Sequence, residues 1–162
     1  MSSLQVDSIS SMGGGHVDGA GKVVQFVSDI NTSSTGIVTT SAAPVFSGIG
    51  VTITPKFIGS RIVVSFDAPV TSVTEVADFG ISCKLYDLLF NLLTESFWIN
   101  QTAQAGVLRI YQGLSLNYEV VTTSLTPLTF NIYLNKFGTG LSDAYLRWPN
   151  TSTSLTATEI AQ

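Results

Sequence analysis

Cysteine and histidine are almost absent, with one of each, Cys83 and His16, among 162 residues. A lone cysteine excludes an intrachain disulfide framework, and one Cys with one His cannot build a Cys/His zinc site. Charge is scarce as well. Asp, Glu, Lys and Arg make up 11% of the chain, where a soluble domain usually carries about 25%. Seven Lys and Arg against 11 Asp and Glu leave a net charge of −4. No basic patch stands ready to neutralise phosphates, which argues against nucleic acid as a partner. Long apolar runs are missing too. The longest, 85–93, is interrupted by Asp87 and Asn91 and falls far short of the about 20 residues that span a membrane as a helix. The first twenty residues lack the basic start and apolar run of a signal peptide. Synthesis in a reducing cytoplasm without membrane insertion is the expectation, and the Asn-x-Ser/Thr triplets at Asn31, Asn100 and Asn150 then read as unglycosylated.

What the chain does have is alternation. Ile49, Val51 and Ile53 alternate with Gly50, Thr52 and Thr54; Ile62, Val64, Phe66 and Ala68 alternate with Arg61, Ser65 and Asp67, Val63 being apolar on that outer side. The same period-2 pattern puts Phe79, Ile81, Cys83 and Leu85 opposite Asp78, Ser82 and Lys84. It sets Leu114, Leu116, Tyr118 and Val120 against Ser115, Asn117 and Glu119, and Leu128, Phe130, Ile132 and Leu134 against Thr129, Asn131, Tyr133 and Asn135. Such runs are strands with one face in a core. Pro55, Gly59, Pro69, Pro127, Gly138, Gly140 and Pro149 punctuate them as turns. With further candidates at 22–30, 35–41, 96–101, 142–148 and 154–161, the spacing predicts an all-β antiparallel sandwich over 21–162. The last run, SLTATEIA, alternates poorly. One segment disagrees with the strand pattern: Leu85, Leu88, Leu89, Leu92 and Leu93 recur at helical spacing, which reads as a short helix or a buried irregular connection.

Residues 1–20 contrast with this domain. Four glycines, Gly13, Gly14, Gly15 and Gly19, accompany a sparse apolar set of Leu4, Val6 and Ile9. Glycine loses much backbone entropy on ordering, so the stretch has no core of its own and reads as an extended arm or else a disordered tail. Its apolar residues fit a strand added to the sheet edge of a partner protein.

Positive signs of catalysis are lacking. Lys22 is followed by Val23, and His16 stands where a Walker A loop needs its first glycine; Asp18 stands where a dinucleotide fingerprint needs its third. His16 sits in the arm, away from any fixed nucleophile, and Cys83 falls on an apolar strand face as an inert thiol. Glu75 and Asp78 read as solvated loop charges rather than a glycosidase pair. No cofactor or metal is expected. Trp98, Tyr111, Tyr145 and Trp148 are the candidates for stacking on a host-surface glycan, or for core and subunit contacts.

With these motifs placed, the chain resembles a family of phage virion proteins found in tail fibres and related appendages, especially of marine phages. The resemblance lies in Gly21-Lys22-Val23-Val24-Gln25-Phe26-Val27 and in Ser47-Gly48-Ile49-Gly50-Val51-Thr52-Ile53-Thr54-Pro55. It continues through Ser60-Arg61-Ile62-Val63-Val64, Leu116-Asn117-Tyr118-Glu119-Val120 and Leu155-Thr156-Ala157-Thr158-Glu159-Ile160. The arm's Ser3-Leu4-Gln5-Val6-Asp7-Ser8-Ile9 is similar to fibre N-termini. The Leu-rich 85–93 stretch departs from the polar hairpin expected there, and a long fibre shaft is missing. What the resemblance implies is a non-enzymatic virion protein with a jelly-roll-like β-sandwich, assembled as a homotrimer. Within a particle it would be a short tail fibre or fibre-tip component, or else a capsid decoration protein; a free lectin-like carbohydrate-binding module is the reading from another class. Composition independently predicts an oligomer, because 11% charge leaves a monomer with larger neutral and apolar patches than soluble monomers carry.

Overall fold

The computed structural model describes residues 21–31, 38–39, 42–75, 79–100, 108–137, 144–145 and 152–162. Their regular structure is all strand. The long strands are β1 (Val23–Asn31), β3 (Val45–Ile53), β4 (Arg61–Glu75), β5 (Phe79–Asp87), β6 (Leu92–Asn100), β7 (Leu108–Val121), β8 (Leu128–Phe137) and β10 (Thr153–Ile160). Two-residue pieces, β2 (Val38–Thr39) and β9 (Ala144–Tyr145), extend one sheet. One sheet runs β1-β10-β4-β7, and the other runs β3-β8-β5-β6. Every pairing is antiparallel. Among the long strands only β5 and β6 are consecutive neighbours; each other connection crosses between sheets. This interleaving of two Greek keys is the jelly-roll arrangement.

Alternation in the sequence becomes layering in the fold. Ile49, Ile53, Ile62, Phe66, Ile81 and Ile132 are buried in one core between the sheets, with Leu155 and Ala157 of β10. Burying such a side chain contributes about 1.5–3 kcal/mol. Cys83 lies among them, fully buried, and burial raises its thiol pKa far above the ordinary range. Gly48, at φ +80°, sits in an irregularity of β3 between Phe46 and Gly50. A side chain there would strain the left-handed backbone.

Four expectations are corrected. Residues 85–93 form neither a helix nor a buried connection: β5 runs on to Asp87, a turn follows, and β6 starts at Leu92. Helical leucine spacing arose from two inward strand residues, Leu85 and Leu93, flanking a turn whose own leucines face solvent. Pro69 does not end its strand. β4 passes through it with a register shift between Ala68 and Thr71, where β10 has stopped pairing at Asp67 and β9 takes over at Ser72, so the missing N–H falls at a bulge. The terminal run does alternate, with Thr153, Leu155, Ala157 and Glu159 buried; polar residues at both ends of the inward set concealed the period. Ser82 and Asn135, expected on a solvent face, are buried. They oppose one another on β5 and β8, the two central strands of their sheet, where neighbouring strands crowd both sides. The expected strands at 35–41 and 142–148 are described only at Val38–Thr39 and Ala144–Tyr145.

Candidate functional site

One end of the sandwich gathers the features that stand out. A cross-strand row of Val23, Ile160, Arg61 and Val121 marks it on the first sheet. Ile53 opposite Leu128 and Asp87 opposite Phe130 mark it on the second. The turns β3–β4, β5–β6 and β7–β8 all lie here, as does Gly21, from which the N-terminal arm departs.

Glu159 organises the first turn from inside. Its side chain is fully buried. Oε1 accepts hydrogen bonds from Lys56 N (2.9 Å), Phe57 N (3.1 Å) and Ser60 Oγ (2.6 Å). Oε2 accepts from Gln25 Nε2 at 2.6 Å and from Lys56 N at 3.0 Å. Gln25 also donates to Thr54 O. Burial acts to raise the Glu159 pKa, but the bonds from Ser60, Lys56 N, Gln25 and Phe57 N outweigh it and hold the carboxyl below the ordinary glutamate range. The turn is tied onward to the β7–β8 connection, since Gly59 N donates to Thr122 O and Thr122 N to Ser60 O, both at 2.8 Å. With its oxygens occupied and shielded, Glu159 is a brace rather than a base. Gln25, Thr54, Ser60 and Glu159 belong to four separate motifs of the sequence; the fold brings them to one point.

Asp87 organises the second turn from outside. Oδ1 accepts from Leu89 N (2.9 Å) and Asn91 N (2.8 Å), and Oδ2 accepts from Asn91 Nδ2 (2.7 Å). The Asn91 side-chain bond is the main cause of a lowered Asp87 pKa; slight burial opposes it, and the two backbone bonds add to it. Phe90 adopts φ 65°, unusual for an aromatic residue. Its ring stacks on Tyr86 at 4.4 Å and meets Tyr133 edge-on at 5.0 Å, while Phe46 packs against Tyr133 at 5.5 Å. Leu88 and Leu89 are left 75% and 81% exposed. The braced turn thus holds two large apolar side chains in water.

Beside the leucines opens an apolar cleft of about 350 Å³, walled by Leu93 of β6, Tyr118 and Val120 of β7, and Leu128 and Phe130 of β8. It lies where β6, the last strand of its sheet, faces β7, the last strand of the other. Further apolar residues are exposed across this end: Val23, Phe57, Ile58, Val121 and Leu125. Among the described residues no group of three His, Cys, Asp or Glu side chains converges as a metal site requires.

The aromatic residues singled out from the sequence do not meet here. Trp98 lies on β6 in register with Ile81, whereas Tyr111 and Tyr145 lie in one row of the other sheet, on either side of Ser72. Trp148, His16, Asp78 and the arm residues Leu4, Val6 and Ile9 lie outside the described residues. Sequence reasoning passed over the Phe46–Tyr133–Tyr86–Phe90 cluster, whose members come from three strands and a turn. It also passed over the Glu159 brace, though a glutamate at an inward position of a terminal strand was a usable signal. No protein-family model matches the chain, and no curated protein matches it.

Proposed function

We propose that this chain is a non-enzymatic structural subunit of a phage particle, a short tail fibre or fibre-tip component that works as a homo-oligomer, with three copies as the expected number. The observation that carries the oligomer is the apolar end of the sandwich, where Leu88 and Leu89 are held in solvent by a braced turn beside an apolar cleft. Interfaces cover such surfaces, and cyclic closure does so without an open, fibril-forming contact. The phage assignment and the number three come from the family resemblance; the jelly-roll strand order is compatible with both. The arm, residues 1–20, attaches the subunit to another virion protein. Light scattering at micromolar concentration tests the oligomer, and a stable monomer refutes it. Locating the polypeptide in an image reconstruction of the particle tests the rest: density on the tail supports the fibre, and density on the capsid shows a decoration protein instead. Glycan-array binding by protein that is missing from purified particles would establish the lectin reading.

A further inference from the structure

We infer that the β3–β4 turn of one copy, led by Phe57 and Ile58, docks in the apolar cleft of the next copy, with Lys56 set against Asp87. Resting on the proposed homo-oligomer, this contact joins two different patches of the same chain. Complementarity gives the first reason. The turn carries two exposed apolar side chains, Phe57 and Ile58, next to an exposed Lys56. The cleft offers the counterpart, with Leu93, Tyr118, Val120 and Leu128 among its apolar walls and Asp87 as the charged residue lining it. At about 350 Å³ it stands near the lower end of the about 300–1,000 Å³ typical of ligand sites, a space for one or two large side chains. Both charges are available. The ion pairs Arg61–Glu119 and Lys84–Glu95 leave Lys56 out. Asp87 accepts two bonds at Oδ1 and one at Oδ2, and a carboxylate has about four acceptor sites, so Oδ2 keeps one for an ammonium donor. Such a pair adds little affinity but fixes the register of docking.

Rigidity gives the second reason, and it places the contact between copies. Glu159 holds Lys56 N and Phe57 N from inside. Phe57 O accepts from Ser60 Oγ at 2.8 Å and from Thr122 Oγ1 at 2.7 Å, and Gly59 N donates to Thr122 O. Held at these points, the turn cannot fold over onto the cleft of its own copy, whose walls all fall between Asp87 and Phe130 in sequence. Its side chains therefore stay presented to a neighbour, and a preformed shape loses little entropy on docking. A contact between unlike patches repeats from copy to copy and closes as a ring when the rotation allows, in keeping with the three copies expected.

Full-length chains carrying Ile58→Cys and Leu89→Cys, co-expressed with tags of different mass and treated with a short bismaleimide, test this, because both positions are exposed and Cys83 is fully buried. The product joining the two unlike chains should exceed either like-with-like product about tenfold. Adding Lys56→Glu to the Ile58→Cys chain should cut that product several-fold, and Lys56→Arg should keep it. A mainly like-with-like product overturns the inference in favour of a contact between identical turns. A yield unchanged by Lys56→Glu overturns the pairing with Asp87. If no product forms while light scattering finds the unsubstituted protein oligomeric, the contact is refuted and the homo-oligomer stands. A stable monomer refutes both.

Discussion

Two turns at the same end of the molecule are each held by one carboxylate, and they differ in where that carboxylate comes from. The β3–β4 turn is gripped by Glu159, about a hundred residues away in sequence and sealed in the interior. The β5–β6 turn is gripped by Asp87, two to four residues from its partners and open to solvent. Both carboxyls have lowered pKa values for the same reason, that the hydrogen bonds favour the charged form. Their energetic weight is not the same. When Asp87 is lost, water can replace it; when Glu159 is lost, the Lys56 and Phe57 amides lose the acceptor they share and the Gln25 side chain keeps only Thr54 O. A local bond shapes a turn, whereas a long-range buried one couples β1, β10 and the β3–β4 turn into a unit.

Glu159→Ala should break this comparison most severely, with a loss of about 3 kcal/mol or more in chemical denaturation, since the Lys56 and Phe57 amides are left without their acceptor at about 1–3 kcal/mol each. A loss below about 1 kcal/mol would make the brace energetically idle. The next effect is acid sensitivity. A carboxyl with a folded-state pKa below its unfolded value adds stability above the unfolded value, about 4.3 for Glu, and loses that contribution as pH falls through the folded value. Stability should therefore fall steadily below about pH 4.3, and Glu159→Gln should flatten that limb. An unchanged limb would assign the acid sensitivity elsewhere. Asp87→Ala should leave the global transition nearly in place while amide exchange at Leu89 and Asn91 speeds up several-fold. A large drop in the global transition would erase the distinction between the two turns. Smallest in stability terms is Leu88→Ser with Leu89→Ser, which should leave the denaturation midpoint unchanged, as both side chains are exposed, but lower the average mass seen by light scattering. Unchanged mass would show that the leucines lie outside the subunit contact.

Strand identity was legible wherever one face met the core and the other met solvent, as in Ile62-Val63-Val64-Ser65-Phe66. It failed where a strand met other demands. Leu88 and Leu89 look like core residues in sequence, because nothing nearby says that Asp87 and Asn91 will pin them outside. Glu159 hid the period of β10, because a carboxylate inside a sandwich makes sense only once the amides of Lys56 and Phe57 are known to face it. Phe46, Tyr86, Phe90 and Tyr133 are scattered over nearly ninety positions, and only strand order and register make them neighbours.

By itself the sequence determined the class of the fold and the inward faces of β3, β4, β5, β7 and β8, because the side-chain period of a strand is a local property. The buried, inert state of Cys83 followed from the same rule. Tertiary structure alone decided which strands pair, which turns share an end, and that four distant motifs meet at one carboxylate. Every connection but one among the long strands crosses between sheets, so these relationships depend on long-range pairing that no local pattern encodes. The cleft between β6 and β7 is a product of that pairing: its walls come from strands that do not hydrogen-bond to one another, and it exists only because the two sheets end there side by side.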